Sequence, residues 1–341
     1  MIRVGLIGAG FIGRNHFNQY EKMPERVTLI ICDKEPDRRE GDWSKVGGNI
    51  ADSKGSKRDV SHLQRYSDWK QLIADPNVDA VDICVPTPLH KEITLAALLS
   101  GKHVLCEKPM ALTVEDCDTM LAAAAKSKAR FMVAQVIRFW PEYRFLRQIV
   151  ENRRYGQLKA LHLRRQAATP GYTLNNWVLN PKLSGGAVLD LHVHDVDFVL
   201  GLLGKPKAVC AQGHIKPNGS CDRIHAQWYY DAVPLVQLEG WWDMPGNFPF
   251  NMGFTAVFEN GGVHWDMNTG KPLAVYENGK DPYTPEIPTE DGYYAEIDYF
   301  LSCIEQNRDP KLTTPKESRD AVALALAEQQ SAETARQVEI T

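Results

Sequence analysis

The chain has 341 residues, of which 43% are hydrophobic and 24% charged, with a formal net charge of −4 at pH 7. This length predicts two domains, since a single hydrophobic core stops growing at about 250–300 residues. The acidic balance argues against a nucleic-acid binder, which would carry a basic face, and no stretch approaches the roughly 18 apolar residues of a membrane span. The seven cysteines are scattered and never spaced as Cys-x-x-Cys, and no basic leader precedes the first apolar run. We therefore expect reduced thiols and a cytoplasmic protein.

A glycine-rich turn follows the first predicted strand, residues 2–7. Residues 8–13 read GAGFIG, the spacing of a turn that binds a dinucleotide between a strand and a helix. Gly8 permits a sharp turn, Gly10 leaves room for a pyrophosphate at the backbone, and Gly13 lets the helix pack closely. The free N–H groups at the start of that helix favour phosphate. The pattern predicts a dinucleotide site, and an ordinary strand–helix turn without a ligand is the alternative.

An acidic residue stands behind this turn at the position that the dinucleotide fingerprint requires. Asp33 follows a second apolar run, residues 27–32, and is placed to accept hydrogen bonds from an adenosine ribose. Because a carboxylate repels a 2′-phosphate, we expect NAD rather than NADP. Lys34 and Arg38 are placed to pair with such a phosphate, which weakens that preference.

Strand and helix patterns alternate through the first part of the chain. Residues 78–85, 103–106 and 131–134 have the composition of buried strands, and residues 89–99 and 113–126 have helical patterns. Alternation at this spacing predicts βαβ units and a parallel sheet.

The sequence changes character after about residue 136. Strand-like runs joined by turns predict a mostly antiparallel sheet accompanied by helices. The runs are residues 158–166, 208–214, 224–230, 235–242, 254–258 and 262–265, with a hairpin turn at Asn260-Gly261, and the helices are residues 141–151, 188–203, 292–305 and 315–336. We therefore expect an α/β protein with two domains, residues 1–135 and residues 136–341, the second of α+β type.

The first candidate for chemistry is Lys108, in the sequence Glu107-Lys108-Pro109 just after the strand at residues 103–106. In a doubly wound sheet the carboxyl ends of the strands line the ligand crevice, so a lysine there reaches a bound substrate. Its ammonium group polarises a hydroxyl or carbonyl oxygen. A surface lysine in a turn before a helix is the alternative for this motif taken alone.

The second candidate is the pair Asp190 and His194, which share one face if residues 188–203 are helical. A carboxylate beside an imidazole fixes its tautomer and raises its basicity, so the histidine can transfer a proton near neutral pH. Two alternatives stay open, a metal site built from His192, His194 and Asp195 and a buried structural Asp–His pair. On a helix, however, His192 and His194 point about 200° apart.

Together these motifs resemble the glucose–fructose oxidoreductase / inositol dehydrogenase (Gfo/Idh/MocA) family over nearly the whole chain. The resemblance rests on residues 8–13 with Asp33, 79–90, 101–109, 185–195, 296–300 and 321–338, of which Glu107-Lys108-Pro109 and Asp190 with His194 are the specific parts. It implies an N-terminal Rossmann domain that binds NAD or NADP. It also implies a C-terminal α+β domain whose large, mostly antiparallel sheet forms the contacts of a homodimer or homotetramer.

The resemblance implies the site residues as well. Its catalytic set is Lys108, Asp190 and His194, and the peptide between Lys108 and Pro109 is often cis in the family. The predicted cofactor contacts are Gly8, Gly10, Phe11, Ile12, Gly13, Asp33, Val85, Pro86, Thr87, His90, Glu107 and Lys108. For the substrate, the catalytic set is joined by Trp177, which could stack on a sugar face, and by Arg138, for which an ion pair with a nearby acid is the alternative role. No metal is expected.

The implied reaction is hydride transfer between nicotinamide and a secondary carbinol of a sugar, inositol or related polyol. In this hypothesis His194 takes the hydroxyl proton, Asp190 orients His194, and Lys108 stabilises negative charge on the same oxygen. A rival assignment makes Lys108 the base. Two other classes stay open, a glycosidase-type enzyme that retains and recycles its NAD and a non-catalytic NAD-binding sensor.

The chain departs from the family pattern at two places. Residues 38–65 look longer than usual and are either a loop or a poor helix. Trp140 stands where a small polar residue is frequent, in a segment that keeps Arg138, Phe139 and Pro141. The first difference bears on the adenosine end of the cofactor site and the second on the substrate pocket.

Overall fold

The computed structural model of the protein describes residues 1–48 and 55–341. The strands in these ranges are β1 (Ile2–Ile7), β2 (Val27–Cys32), β3 (Gln64–Tyr66), β4 (Ala80–Ile83), β5 (His103–Glu107), β6 (Phe131–Ala134), β7 (Leu158–Ala168), β8 (Ala208–Ile215), β9 (Cys221–Tyr229), β10 (Leu235–Met244), β11 (Asn251–Phe258), β12 (Gly261–Asp266), β13 (Ala274–Glu277) and β14 (Val338–Glu339). The α-helices are α1 (Phe11–Tyr20), α2 (Pro36–Arg39), α3 (Trp69–Ala74), α4 (His90–Leu99), α5 (Val114–Ala124), α6 (Pro141–Asn152), α7 (Pro181–Ser184), α8 (Val193–Leu203), α9 (Gly292–Glu305) and α10 (Pro315–Thr334).

The first sheet has six strands in the order β3-β2-β1-β4-β5-β6, and every neighbouring pair is parallel. This is the order of a doubly wound dinucleotide-binding fold. Val4, Leu6 and Ile31 in the central strands have no exposed surface, as expected where both faces of a parallel sheet are covered. The predicted parallel Rossmann sheet is confirmed.

The second sheet has eight strands in the order β13-β12-β11-β7-β10-β9-β8-β14. Its neighbouring pairs are antiparallel except for β7 and β10, which run parallel. Leu161, Leu163 and Arg165 are the buried phase of β7 and alternate with less buried residues, so one face of the sheet packs on the core. Helix α8 contacts β7. The prediction of a mostly antiparallel second sheet is confirmed.

The chain forms two compact units that are not contiguous in sequence. The first unit comprises Met1–Val136, Gly171–Trp177 and Gly292–Arg319, and the second comprises Ile137–Pro170, Val178–Asp291 and Asp320–Thr341. Two segments beyond residue 136 thus belong to the first unit, although we expected all of residues 136–341 in the second domain. One of them, α9, packs on α1.

Salt bridges hold α9 within the first unit. Arg26 pairs with Asp298 and with Glu305, both on α9. The N-terminus of α10 is attached in the same unit, since Arg319 pairs with Asp118 at 2.7 Å. These pairs join residues far apart in sequence, so no local pattern could predict them.

The segment at residues 38–65, predicted as a loop or a poor helix, lies partly outside the described residues. Its described part includes the end of α2 and the start of β3 and is otherwise irregular. Trp43 anchors the described part of this segment, because its indole is fully buried against Phe17 with ring centroids 4.8 Å apart. The indole N–H also donates to the Arg38 carbonyl at 2.8 Å.

Across the described ranges, no helix has both the length and the apolar character needed to span a membrane.

Candidate functional site

The turn between β1 and α1 is built on three glycines. Gly8 has a φ of 95°, a region that few other residues adopt. A Cβ on Gly13 would lie 1.8 Å from the Gly8 carbonyl oxygen, so only glycine allows this close packing. A Cβ on Gly10 would meet nothing nearer than Arg38 Nη1, at 3.7 Å. Because α1 also begins without a side-chain cap, its first backbone N–H groups are available to an anion.

Asp33, just after β2, is tied to that turn. One carboxylate oxygen accepts a hydrogen bond from the Ala9 N–H at 2.7 Å, and the other accepts from the Glu35 N–H at 2.8 Å. Asp33 is only 7% exposed, so its carboxylate holds the glycine turn beside the end of β2. Each oxygen keeps a second lone pair that can accept from a ribose hydroxyl.

An aromatic pair and a cation flank the glycine turn. The Phe11 ring meets the Tyr172 ring edge-on, with centroids 5.6 Å apart. A Cβ on Gly48 would lie 1.9 Å from Phe11 Cε2, so the backbone at Gly48 lies directly against the ring. With Arg38 near Gly10, the space beside the turn has both an apolar wall and a positive charge.

Lys108 comes directly after β5, at the carboxyl edge of the parallel sheet where β1 and β2 also end. It is half-buried, whereas Glu107 and Pro109 on either side are buried. Its backbone N–H donates to Glu107 Oε2 at 3.0 Å, and the Lys108–Pro109 peptide is cis. The lysine and the glycine turn therefore stand at one edge of the same sheet.

His90, predicted to contact the cofactor, is buried between two backbone carbonyl oxygens. Its Nδ1 lies 2.9 Å from the Pro109 oxygen and its Nε2 lies 2.9 Å from the Val85 oxygen. Burial lowers the pKa of His90 in spite of the opposing effect of these carbonyls. The neutral ring has one N–H and donates to one carbonyl at a time. His90 thus links the turn after β4 to the turn after β5.

The other predicted cofactor contacts differ in exposure. Val85 and Pro86 are half-buried, and Thr87 is buried at the start of a short 3₁₀ turn, Thr87–Leu89. Ile12 is half-buried in the first turn of α1. These residues follow β1 and β4, which are neighbours in the sheet.

Asp190 and His194 lie in one continuous helical segment of the second unit. Val188–His192 forms a π-helical turn, and α8 continues from it. Residues four apart in such a segment are neighbours on one face, and both side chains are half-buried among buried neighbours. Single π turns within helices are frequent at functional sites.

His192 has a different environment from His194. It is fully buried, and its Nε2 lies 2.7 Å from Glu328 Oε2. Glu328, on α10, also accepts a hydrogen bond from the Trp228 indole. A Cβ on Gly240 would lie 2.7 Å from His192 Cβ, so the ring packs tightly on β10. His192 is a structural residue of the second unit.

The structure also bears on the metal alternative. In the described part of the chain, the group whose potential ligand atoms converge is His16, Asp82 and Cys84, which are buried in the first unit, and His192 and His194 do not belong to it. His16 Nδ1 lies 2.8 Å from Asp82 Oδ2, a hydrogen-bond distance. Burial raises the pKa of the Cys84 thiol, whose Sγ lies 3.5 Å from His16 Nδ1 and 3.4 Å from Asp82 Oδ1. In the structure these three side chains form a hydrogen-bonded cluster.

Two buried ion pairs anchor α8. Asp195 accepts two hydrogen bonds from Arg165 on β7, at 2.9 and 3.0 Å. Asp197 accepts two from Arg138, at 2.6 and 2.8 Å. All four side chains are at most 2% exposed. Of the two roles predicted for Arg138, the structure shows the ion pair, and Asp195 is bound by arginine.

Trp177 is half-buried at the end of the segment Gly171–Trp177 of the first unit. The 3₁₀ segment around it, Leu174–Leu179, contains Asn175 and Asn176 with φ of 55° and 49°. Trp140 is half-buried and precedes α6.

The buried, paired side chains of Arg165, His16 and Asp82 were not predicted from the sequence. Arg165 had a readable signal, because it occupies the apolar phase of β7 after Leu161 and Leu163. Asp82 had a similar one, as a carboxylate inside the otherwise apolar strand β4. An ionisable residue at a core position of a strand predicts a buried partner.

Family models match both parts of the chain. The model for the GFO/IDH/MocA oxidoreductase family, NAD-binding Rossmann fold, matches residues 2–135. The model for the GFO/IDH/MocA C-terminal domain matches residues 143–264.

Three curated relatives are 30–32% identical to this chain over their aligned residues. A 1,5-anhydro-D-fructose reductase of Ensifer adhaerens is 32% identical over 100% of this chain and 99% of its own length. A myo-inositol 2-dehydrogenase of Thermotoga maritima is 30% identical over 63% of this chain, and a levoglucosan dehydrogenase of Pseudarthrobacter phenanthrenivorans is 31% identical over 62%. These last two alignments span 59% and 53% of the relatives' own lengths.

Solved structures share the fold over the full length. A levoglucosan dehydrogenase in complex with NADH and levoglucosan superposes with a TM-score of 0.83 at 20% identity, covering 99% of each chain. An aldose-aldose oxidoreductase from Caulobacter crescentus superposes with a TM-score of 0.82 at 22% identity, again over 99% of each chain.

Proposed function

Because this chain belongs to the GFO/IDH/MocA oxidoreductase family with its NAD-binding Rossmann fold, we propose that it is an NAD-dependent dehydrogenase of a sugar, inositol or related polyol. One observation carries the proposal. Gly8, Asp33 and Lys108 follow β1, β2 and β5 of a single parallel sheet, so they share its carboxyl edge. That edge is where doubly wound sheets bind a nucleotide and its substrate.

The glycine turn suits the pyrophosphate of NAD, because the space beside Gly10 is open and the start of α1 is uncapped. The buried Asp33 carboxylate would accept from the ribose and repel a 2′-phosphate. Bound NAD would supply the hydride acceptor, at C4 of its nicotinamide. The further contacts that we propose are Phe11, Ile12, Gly13, Val85, Pro86, Thr87 and Glu107. His90 supports two of the turns through their carbonyls.

Proton transfer is assigned to the second unit. We propose that His194 takes the proton of the substrate hydroxyl and that Asp190, one helical turn away, orients the imidazole. Lys108 would stabilise the negative charge that develops on the same oxygen. The half-buried state of all three residues supports this assignment, since each combines contact with solvent and a partly desolvated setting. General base catalysis of this kind contributes roughly 10²–10⁴-fold to rate.

The substrate class rests on the family and on the names of its members. Relatives named for myo-inositol, levoglucosan and 1,5-anhydro-D-fructose act on ring compounds with secondary carbinols or ketones. Trp177 is our candidate for stacking on such a ring. Arg138 is left out of the proposed substrate site because its guanidinium is committed to Asp197.

The direct test is an assay of NADH absorbance with the purified protein. The panel would contain myo-inositol, levoglucosan and other cyclic polyols with NAD or NADP, and 1,5-anhydro-D-fructose with NADH for the reverse direction. We expect turnover of at least one compound with a higher kcat/KM for NAD. Retained NAD without net NADH formation would instead favour a glycosidase-type enzyme, and cofactor binding with no reaction would favour a sensor.

We also propose a homodimer or homotetramer formed through the second sheet. Val257 on β11, Tyr276 on β13 and Leu235 on β10 are large apolar residues that are 45%, 47% and 38% exposed. Light scattering should give a mass of at least twice 38.4 kDa, and a monomer at micromolar concentration would contradict the proposal.

The cysteines described in the structure are all free, which supports a reducing, cytoplasmic location that cell fractionation can test.

A further inference from the structure

A buried cluster of ionisable side chains joins α1 to the ends of β4 and β5. His16 on α1 lies 2.8 Å through Nδ1 from Asp82 Oδ2, and 3.2 Å through Nε2 from Glu107 Oε1. The Tyr20 hydroxyl donates to the same Asp82 oxygen at 2.9 Å. The side chains of His16 and Asp82 are fully buried, and that of Glu107 is 7% exposed. None of these four residues is a member of the proposed catalytic set.

The imidazole of His16 lies between two carboxylates. Burial is the largest single effect and disfavours a charged ring, but Asp82 and Cys84 together outweigh it and raise the pKa of His16 well above its ordinary value. A protonated ring carries an N–H on each nitrogen, one towards each carboxylate. His16 Nε2 lies 3.2 Å from Glu107 Oε1, so an N–H donor at this nitrogen position lies beside the carboxylate.

Glu107 links His16 to the backbone of Lys108. While Oε1 faces His16, Oε2 accepts the backbone N–H of Lys108 at 3.0 Å. Gly13 and His16 lie on the same short helix, about one turn apart. Helix α1 therefore carries both Gly13 of the glycine turn and His16, which contacts Glu107.

We propose that His16, oriented by Asp82, is a positioning residue that holds the Glu107 carboxylate and through it the backbone of Lys108. This inference rests on the proposed function, since it matters for turnover only if Lys108 meets the substrate. His16 has no exposed surface. Its loss should therefore alter kcat more than it alters the binding of NADH.

Two variants of the same residue separate the contacts. His16→Gln places its amide nitrogen near the position of Nε2 and keeps a donor towards Glu107. His16→Asn places its amide nitrogen near Nδ1, which keeps the donor to Asp82 and removes the one to Glu107. A matched control is His103→Asn, at the opposite end of β5, where Nδ1 accepts from the Arg130 N–H.

We expect kcat of His16→Asn to fall about 10–100-fold, because small displacements of a positioned group are amplified in rate. His16→Gln should lose clearly less, and His103→Asn should resemble the unmodified protein. The Kd of NADH, measured by fluorescence titration, and the midpoint of thermal unfolding should stay close together in the two His16 variants. Equal kcat in both, or a loss that follows NADH affinity or unfolding, would overturn the proposal.

A readout that does not need turnover distinguishes a failure of this inference from a failure of the proposed function. Crystal structures of the two variants should retain the hydrogen bond from the Lys108 N–H to Glu107 in His16→Gln and lose it in His16→Asn. If His16→Asn fails to fold, Asp82→Asn takes its place, since it removes the carboxylate that orients His16 and leaves Glu107 and Lys108 themselves unchanged. An unchanged Lys108 backbone in every variant contradicts the positioning role, whatever the assay gives.

Discussion

Arg165 and Asp195 form a bidentate ion pair that ties β7 to the helix carrying His194, with N–O distances of 2.9 and 3.0 Å. Neither side chain is more than 2% exposed. The pair therefore stabilises the helix only while both partners are present, because a single buried charge is very unfavourable. The position of His194, the proposed base, therefore depends on a contact between two residues that are 30 positions apart in the sequence.

Removal of one partner should test this dependence. Arg165→Met leaves the Asp195 carboxylate buried without its partner, and we expect it to lower the free energy of unfolding by about 3–5 kcal/mol. Lys159→Ala, which breaks a half-exposed pair with Glu259, should change that free energy by less than about 1 kcal/mol. Urea unfolding followed by circular dichroism measures both. Equal effects of the two variants would show that the buried pair is not an anchor.

His194 and His192 should respond in opposite ways to substitution. His194→Asn removes the proposed base, so kcat should fall roughly 10²–10⁴-fold with little change in the Kd of NADH or in stability. His192→Asn breaks the buried contact with Glu328 and should mainly lower the unfolding midpoint. Near-normal turnover in His194→Asn would remove His194 from the mechanism.

The rival assignment of Lys108 as base calls for a separate measurement. If His194 is the base, the acidic limb of the pH–rate profile should disappear in His194→Asn and persist in Lys108→Met. The reverse result would assign the proton transfer to Lys108.

The cofactor preference should depend on Asp33 and Arg38. Asp33→Asn removes the negative charge yet keeps one acceptor for the N–H of Ala9 or Glu35. We expect the ratio of kcat/KM for NADP to that for NAD to rise about 10-fold or more, since one charge–charge repulsion is lost. The double variant with Arg38→Ala should reverse part of this rise, because it removes the cation beside Gly10. An unchanged ratio in Asp33→Asn would contradict the proposed ribose contact.

The longer strands and helices could be predicted from the sequence, but the buried contacts that hold the site residues could not. Strands β1 and β2 were predicted because buried parallel strands read as continuous apolar runs. Strands β3 and β14 were missed, since three and two residues carry no periodic signal and become strands only by pairing. The role of each glycine followed from local stereochemistry, whereas a contact such as His16 with Asp82, 66 positions apart, exists only in the folded sheet.

Two buried histidines of the first unit should titrate in opposite directions. The pKa of His16 is raised, because Asp82 and Cys84 together outweigh burial, whereas burial lowers the pKa of His90. The ionisable groups that contact His16 are Asp82, Cys84, Glu107 and Tyr293, and the Tyr20 hydroxyl shares the Asp82 oxygen. Ring ¹⁵N NMR at neutral pH should therefore show His16 as imidazolium and His90 as neutral imidazole, with assignment by His16→Gln and His90→Gln.

The same shifts give opposite contributions to stability. A raised pKa means that the folded state binds its proton more tightly than the unfolded chain, whose histidine has a pKa of about 6.5. The contribution of His16 is thus complete below about pH 6.5 and is lost as the pH rises through its folded-state pKa. The lowered pKa of His90 has the reverse effect, so stability falls as the pH drops below about 6.5 towards its folded-state value. A neutral His16 ring at pH 7 would contradict the raised pKa that its contacts with Asp82 and Cys84 give it.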